Sequence, residues 1–282
     1  DQLKRELAEW EGRYPALSTA PSDGLGVDDR TGLRPVYRHR ERMLSLAKSY
    51  SELELRSFDE RIRRQLGRQN LIYVVEPKYY GLALSVTYEN GRLVRAVTRG
   101  DGEVGDDVTA NVLATTTLPK MLRGAAPTGS APGIPAVLEV RGEIYLGLAE
   151  FARINQARRK AGEPPFSHPR NLAAGTLQQL DASTAVARKL TMVFYGYGDC
   201  QPAALRPVAQ QNWLQQLRAW GLPTVENPRV VQGADALWAA VQAVGREREN
   251  YLFPTDGAVV KLDEGLLQKQ MGVTHQAPRW AL

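Results

Sequence analysis

Lys78 is the residue of this sequence whose type and setting best suit nucleophilic chemistry. It lies in the run Glu76-Pro77-Lys78-Tyr79-Tyr80-Gly81, directly after the apolar stretch 71–75. A lysine amine that has lost its proton inside a walled cleft can attack phosphorus or carbonyl carbon. Gly81 permits a close approach of backbone to a ligand. Because an isolated lysine is usually a solvated surface charge, its chemistry depends on which other residues converge on it.

Two further stretches place charged residues at the spacing of strands. Asp256-Gly257-Ala258-Val259-Val260-Lys261 ends in a second lysine, and Glu139, Arg141 and Glu143 alternate along a third strand, on one face. If the three strands line one cleft, their amines, guanidinium and carboxylates meet. Cations would then stabilise the charge that develops at a phosphate, and carboxylates would hold ribose hydroxyls. This set favours nucleotidyl transfer, and the alternative is a group of surface ion pairs.

The run Gly100-Asp101-Gly102-Glu103-Val104-Gly105 matches the spacing G-x-G-x-x-G of dinucleotide-binding proteins. Its acidic side chains would repel a pyrophosphate, and the strand before it belongs to a hairpin. About 20 residues further on, where that fold needs an acidic residue for the ribose, the chain has Lys120. We therefore expect the glycines to form a tight turn that places Arg99, and we do not expect a Rossmann site.

The elements that must position these residues are predicted from hydrophobic periodicity and turn signals. Ser51-Glu52-Leu53-Glu54 predicts a capping box that opens a helix to about Leu66, and Glu89-Asn90-Gly91-Arg92 predicts a hairpin turn. Strands are predicted at 71–77, 82–88, 93–99 and 137–145, and near 190–198, 224–231 and 256–262. Further helices are predicted at 1–14, 106–113, 147–161, near 170–180, and at about 204–220 and 233–248, with loops at 15–35 and 124–135. Hairpins mixed with helices favour a mixed or antiparallel fold over a regular βαβ series.

Length and composition limit the classes of protein that remain. The chain has 282 residues, enough for one large domain or two smaller ones, and a formal net charge of +5, which is compatible with binding polyanions. Its one cysteine, Cys200, excludes an intramolecular disulfide and a cysteine-rich zinc site. No stretch approaches the roughly 20 apolar residues of a membrane span, and no signal-peptide pattern opens the chain. We therefore expect a cytoplasmic location and no membrane contact.

A series of short motifs occurs in one order from about residue 36 to the end, and together they are specific. They are Met43-Leu44-Ser45-Leu46, Glu76-Pro77-Lys78, Tyr88-Glu89-Asn90-Gly91, Thr98-Arg99-Gly100-Asp101-Gly102, Asp107-Val108-Thr109-Ala110-Asn111-Val112, Leu138-Glu139-Val140-Arg141-Gly142-Glu143, Pro169-Arg170-Asn171-Leu172-Ala173-Ala174-Gly175, Tyr195-Gly196, Asp256-Gly257-Ala258-Val259-Val260-Lys261 and Ala277-Pro278-Arg279-Trp280-Ala281. On these motifs the chain resembles the adenylation domain of bacterial NAD-dependent DNA ligases.

The resemblance implies an α+β nucleotidyltransferase fold with mostly antiparallel sheets flanked by helices. Residues 36–282 would form the nucleotidyltransferase domain, and 1–35 a residual N-terminal helix and linker. The implied enzyme is an NAD-dependent DNA ligase, whose lysine takes AMP from NAD and passes it to the 5′-phosphate of a nick. The implied cofactors are NAD as AMP donor and Mg²⁺, with no zinc site in this chain. Nicked double-stranded DNA is the implied partner, and we expect a monomer.

The resemblance also assigns roles to individual residues. By position, the nucleophile would be Lys78. The remaining assignments are Ser45, Leu46 and Glu76 in the adenosine pocket, Tyr195 stacked on the base, Glu143 at the ribose, and Arg99, Arg170 and Lys261 facing phosphates. The plainer interpretation makes Glu143 and Arg99 a surface ion pair and Tyr195 a core residue.

Two positions differ from the residues expected in the family's motifs. The family's Lys-x-Asp-Gly reads Lys78-Tyr79-Tyr80-Gly81 here, and its Ser-Leu-Arg-Gln-Leu reads Thr176-Leu177-Gln178-Gln179-Leu180. The first exchanges a carboxylate for a phenol that is neutral at pH 7, and the second removes a cation. Of the family's N-terminal subdomain, which grips the nicotinamide half of NAD, the resemblance implies that residues 1–14 would be the last helix. Two alternatives therefore stay open: an impaired relative that binds nucleotide or DNA, and a lysine-dependent nucleotidyltransferase that uses ATP or modifies RNA.

Overall fold

Antiparallel sheets of two, three and four strands organise the described part of the chain. A computed structural model describes residues 32, 34–114, 118–124, 133–179 and 183–282. The predicted helix at 1–14, nearly all of the loop at 15–35 and most of the loop at 124–135 lie outside these ranges. The strands are β1 (Val36–Arg38), β2 (Ile72–Tyr79), β3 (Leu82–Glu89), β4 (Arg92–Thr98), β5 (Val104–Asp106), β6 (Val137–Tyr145), β7 (Thr191–Gln201), β8 (Arg229–Gln232) and β9 (Thr255–Leu262).

Helices cover the two larger sheets. They are α1 (Glu52–Leu66), α2 (Thr109–Ala114), α3 (Leu148–Lys160), α4 (Pro169–Gln178), α5 (Ser183–Ala187), α6 (Gln210–Ala219), α7 (Gly233–Arg246) and α8 (Gly265–Met271), with 3₁₀ turns at Ala203–Leu205 and Arg248–Asn250. Helices α1 and α7 pack together on the side of β2, while α4 and α6 contact β6 and β7. This mixture of antiparallel sheets and helices confirms the α+β class. No helix in the described ranges is long and apolar enough to cross a membrane.

Each larger sheet has its own hydrophobic core. The four-stranded sheet has the order β4-β3-β6-β7, and its core includes Trp213 and Leu217 of α6. The three-stranded sheet has the order β8-β2-β9, and its core includes Phe58 of α1 and Phe253. Strand β2 is central and mostly buried, which explains why its first half, Ile72–Val75, is apolar with no alternation.

Local signals at two turns gave correct predictions. The Glu54 amide donates to Ser51 Oγ over 3.3 Å at the start of α1, and Gly67 ends the helix with a φ of 65°. Asn90 and Gly91 take φ values of 48° and 78°, the left-handed pair that a tight hairpin turn needs between β3 and β4. The Asn90-Gly91 turn joins β3 to β4, and β3 contributes to the wall of the cleft.

The glycine run at 100–105 forms a turn and no dinucleotide site, as expected. It leads into the short strand β5, which pairs with β1, whereas a Rossmann fingerprint must open a helix. The Gly102 amide donates to the Arg99 carbonyl over 3.0 Å. At Gly102, φ is 94° and an added Cβ would lie 2.9 Å from the Met43 carbonyl oxygen. Glycine is therefore required for the close approach of two backbones at this turn.

Several predicted boundaries were wrong. Helix α6 begins at Gln210, where 204–220 was predicted, because Pro207 precedes it and Asp263 Oδ1 accepts from the Gln211 amide at its first turn. The strand predicted at 224–231 is reduced to β8, since Asn227 has a positive φ and Pro228 follows it. The short helix predicted at 106–113 covers only Thr109–Ala114. Strands β1 and β5 and helices α5 and α8 had no clear signal in the sequence.

Candidate active site

A cleft of about 1020 Å³ lies between the three-stranded and four-stranded sheets. Its walls come from β2 and β9 on one side and from β3, β6 and β7 on the other, and the segment 41–46 runs along its edge. All nine residues assigned from the sequence line this one cleft: Ser45, Leu46, Glu76, Lys78, Arg99, Glu143, Arg170, Tyr195 and Lys261. The expectation that three charged strands converge is therefore correct.

A β-bulge brings Asp256 to the amine of Lys78. Lys78 pairs with Gly257 and Tyr79 pairs with Thr255, so Asp256 is the extra residue on β9. Bulges of this kind redirect a side chain out of the ladder. Lys78 Nζ lies 3.7 Å from Asp256 Oδ2, and the two side chains are 38% and 39% exposed. The amine therefore opens into the solvent-filled cleft, with a carboxylate beside it.

The base of the cleft holds a buried network centred on Glu76. Lys261 Nζ donates to Glu76 Oε2 over 2.8 Å and to the Tyr195 carbonyl over 2.9 Å. Gln210 Nε2 donates to Glu76 Oε1 and to the same carbonyl, both over 2.9 Å. The Lys261 ammonium also lies 5.2 Å from the centre of the Tyr195 ring. Lys261 is therefore bound to Glu76 here, whereas the sequence assigned it to a phosphate.

Glu143 lies on the floor of the cleft between two arginines. Its Oε1 accepts from the Gly81 amide over 3.2 Å, and its Oε2 accepts from the Tyr195 hydroxyl over 3.4 Å. Burial raises the pKa of Glu143 to about 7, against the opposing effects of Arg170, the Gly81 amide and Arg99. Burial also raises the pKa of Tyr195 well above its ordinary value. Glu143 and Arg99 thus belong to the cleft and are no surface ion pair.

The segment 41–46 is fixed to the cleft by polar contacts. Arg141 Nη1 donates to the Arg42 carbonyl over 2.9 Å, and Arg141 itself is paired with Glu139 over 3.1 Å. Arg99 Nη1 donates to Ser45 Oγ over 3.4 Å, so two residues assigned from the sequence are in contact. These contacts hold Ser45 at the edge of the cleft.

His39 contacts the backbone of the strand end that carries Arg99. Its Nε2 lies 3.0 Å from the Thr98 carbonyl and 3.2 Å from the Arg99 carbonyl, so Nε2 must carry the proton. Burial lowers the pKa of His39, which favours the neutral ring in this position. The imidazole therefore ties the segment after β1 to the backbone of Arg99.

Tyr80 and Gln178, the two residues that differ from the family's motifs, both line the cleft. The Arg170 guanidinium lies over the Tyr80 ring, with its Cζ 5.1 Å from the ring centre. A neutral aromatic face attracts a guanidinium without neutralising it. Arg170 consequently keeps its full charge for Glu143 and for a ligand.

Three residues of the cleft were missed as site residues by sequence reasoning. Asp256 is the first residue of the motif that ends at Lys261, but the bulge that directs its side chain cannot be recognised in the sequence. Arg141 was recognised only as a member of a charged strand face. Gln210 carried no signal, because it contacts Glu76 across 134 positions of the chain.

The donor set of the cleft suits a nucleotide better than a resident metal. Cations, carboxylates and a buried aromatic meet around one amine, which is what binding and attack at a phosphoryl group require. In the described ranges, no group of three or more His, Cys, Asp and Glu side chains could hold a metal ion. Mg²⁺ is usually held by one or two carboxylates together with substrate phosphates, so its participation stays a prediction.

Comparison with known proteins adds a family and its relatives. The family model described as the NAD-dependent DNA ligase adenylation domain matches residues 33–282. DNA ligase 1 of Opitutus terrae is 51% identical over 284 residues, covering 100% of this chain and 41% of that protein. A DNA ligase of Trichlorobacter lovleyi is 42% identical over 286 residues, covering 100% and 40%. A solved archaeal ATP-dependent RNA ligase has a TM-score of 0.42 at 14% identity, over 90% of this chain and 58% of that one. The chain spans 41% and 40% of the length of these two curated relatives.

Proposed function

The chain belongs to the NAD-dependent DNA ligase adenylation domain family, and from that premise we propose that Lys78 takes AMP from NAD. Membership confirms the resemblance found in the motifs. The observation that carries the proposal is the Lys78 amine, which opens into the cleft 3.7 Å from Asp256. Around it lie the cations and carboxylates that the reaction needs.

The proposed step replaces one bond to phosphorus by another. The lone pair of Lys78 Nζ forms an N–P bond to the α-phosphorus of the adenylyl half of NAD. The P–O bond to the other phosphate breaks, and its electron pair leaves with nicotinamide mononucleotide. The amine proton passes to a base, and Asp256 is placed to accept it. The product is lysyl-AMP on Lys78.

The other cleft residues bind and orient the nucleotide in this proposal. Glu76, Ser45 and Leu46 enclose the adenosine, and Tyr195 presents its ring to the base. Glu143 accepts from a ribose hydroxyl. Arg99, Arg170 and Lys261 face the phosphates, where fixed positive charge stabilises the transition state more than the ground state. Support comes from their common location in one cleft.

The later steps would be carried out by a whole ligase, and this chain spans only part of the length of its relatives. The 5′-phosphate of a nick in double-stranded DNA would attack lysyl-AMP, breaking the N–P bond. The 3′-hydroxyl would then attack the activated phosphate, and AMP would leave. NAD as the donor, in preference to ATP, is proposed from the family description. The domain boundary at 35/36, a monomeric state and a cytoplasmic location stay predictions.

A second candidate is a relative that binds the nucleotide without forming the adduct. Two observations favour it. Tyr80, where the resemblance expects an aspartate, contacts Arg170, and Gln178 lines the cleft where a cation was expected. In this case the cleft would bind AMP or NAD, but Lys78 would stay unmodified.

Intact-mass spectrometry separates the two candidates. The chain is incubated with NAD and, in parallel, with ATP, and the Lys78→Ala variant serves as control. The first candidate predicts an added adenylyl group on the wild type with NAD, mapped to Lys78, and none on the variant. A wild-type chain that binds AMP but gains no mass with either donor supports the second candidate.

A further inference from the structure

Gln210 is a buried cleft residue that the proposed reaction does not use. It is 7% exposed and begins helix α6. Its Nε2 donates to Glu76 Oε1 and to the Tyr195 carbonyl oxygen, each over 2.9 Å. Both partners are acceptors, so the amide must present its NH₂ group and not its carbonyl. The orientation of Gln210 is therefore set by the network.

Lys261 bridges the same two acceptors as Gln210. Its Nζ donates to Glu76 Oε2 and to the Tyr195 carbonyl. Glu76 belongs to β2 and Tyr195 to β7, so a neutral donor and a charged donor both join the two sheets at the base of the cleft. If Lys261 turns towards a phosphate, Gln210 remains as the donor that ties Glu76 to Tyr195.

We infer that Gln210 is a positioning residue that holds Glu76 as an acceptor for the amino group of adenine and thereby sets the choice of base. This inference rests on the proposed location of Glu76 in the adenosine pocket. Each carboxylate oxygen has two lone pairs, and Gln210 occupies one of those on Oε1. Lys261 occupies one of those on Oε2, and the remaining lone pairs accept a base amino group but repel a base carbonyl oxygen at the same place.

Removing the Gln210 amide weakens this discrimination. The Glu76 carboxylate has two described side-chain donors, Gln210 and Lys261. In Gln210→Leu it retains only Lys261 and can rotate towards it. Gln210→Glu keeps the shape of the side chain but places oxygen where both partners are oxygen acceptors. The two variants therefore alter the orientation of Glu76 by different routes, one with and one without a change of shape.

Calorimetric titration with AMP and with IMP tests the inference without any catalytic step. IMP differs from AMP in carrying a carbonyl oxygen in place of the 6-amino group. The wild type should prefer AMP. In both Gln210 variants the ratio of the two dissociation constants should fall by about tenfold or more, because a site built to hydrogen-bond a group discriminates strongly against its absence.

Gln211→Leu is the matched control. Gln211 follows Gln210 on the same helix, and its Nε2 donates to the buried carboxylate of Asp263 over 2.8 Å, away from the cleft lining. This variant loses the same kind of bond and should lose similar thermal stability, but its preference for AMP should equal that of the wild type. Melting curves of all variants confirm that the proteins compared are folded.

The outcomes separate the inference from the proposed function. A wild type that prefers AMP, with Gln210 variants that keep the full preference, overturns the inference and leaves the proposed function standing. A wild type that binds AMP and IMP equally, or neither, contradicts the proposed adenosine pocket and the inference with it. A loss of preference in Gln211→Leu equal to that in Gln210→Leu also overturns the inference, because a general loosening of α6 would then explain both.

Discussion

The amine of Lys78 and the carboxylate of Asp256 lie 3.7 Å apart because a bulge places Asp256 outside the regular ladder of β2 and β9. More than a third of each side chain is exposed. An ion pair with this exposure contributes little to folding, between about 0 and 1 kcal/mol. The contact adds little to stability, and its position agrees with the proposed role of Asp256 as the base.

Asp256→Asn should slow adduct formation with little effect on folding. The amide keeps the shape but cannot take the proton from Lys78, and general bases typically contribute roughly 100-fold or more. We expect a fall of roughly 100-fold in the single-turnover rate of lysyl-AMP formation. The free energy of unfolding should change by less than about 1 kcal/mol.

Glu60→Gln, which breaks an exposed helical pair with Arg64, is the control and should leave the rate unchanged. An unaltered rate in Asp256→Asn would exclude a role for this carboxylate in the step.

Glu143 should give the reaction a pH dependence near neutrality. Burial raises its pKa to about 7, so the carboxylate that would hold the ribose forms only as the pH passes that value. We expect kcat/KM for NAD to rise through about pH 7 in the wild type, since this parameter reports groups of the free enzyme. Glu143→Gln should be less active and should lose this rise. A variant with the wild-type profile would show that another group titrates.

The same pKa predicts how stability changes with pH. The pKa of Glu143 in the folded protein, about 7, lies above its ordinary value of 4.5, so the folded state binds the proton more tightly. Its contribution to the free energy of unfolding is therefore complete below about pH 4.5 and is lost as the pH rises through 7. Urea unfolding across this range should show a smaller decline in Glu143→Gln than in the wild type. Equal slopes would contradict the raised pKa.

The aromatic ring of Tyr80, and not its hydroxyl, should stabilise the position of Arg170. A cation–π contact contributes about 1 kcal/mol, equivalent to about fivefold in binding. Tyr80→Phe keeps the ring, so its KM for NAD should match the wild type, while Tyr80→Leu should raise KM about fivefold. Tyr80→Asp would neutralise Arg170 beside Glu143. If Tyr80→Asp exceeds the wild type in adduct formation, the tyrosine impairs the site and the second candidate function gains support.

Much of the fold could be predicted because its signals are local. The Asn90-Gly91 turn, the cap at Ser51 and the apolar run before Lys78 each reflect interactions within a few residues. The start of α6 was misplaced because Asp263, 52 positions away from Gln211, determines it. Strands β1 and β5 are three residues each and pair with one another across a long stretch of the chain, so neither has a local signal.

Many of the residues that line the cleft could be predicted from the sequence, but their contacts could not. Alternation along β6 indicated that Arg141 and Glu143 share a face, and the motifs indicated which residues join them. The contact of Lys261 with Glu76 spans 185 positions and depends on the register of two strands. The raised pKa of Glu143 requires the enclosure formed by both sheets. Neither property is encoded by spacing along one strand.

Adenylation of Lys78 can be measured by intact-mass and peptide-mass analysis after incubation with NAD. Two proteins are compared: this chain, and the Opitutus terrae DNA ligase 1 in which this chain replaces the matching segment. We expect one adenylyl group on Lys78 in at least the second protein, and none on the Lys78→Ala variant in the same context. A wild-type chain without an adduct in both contexts, or with an adduct on another residue, would contradict it.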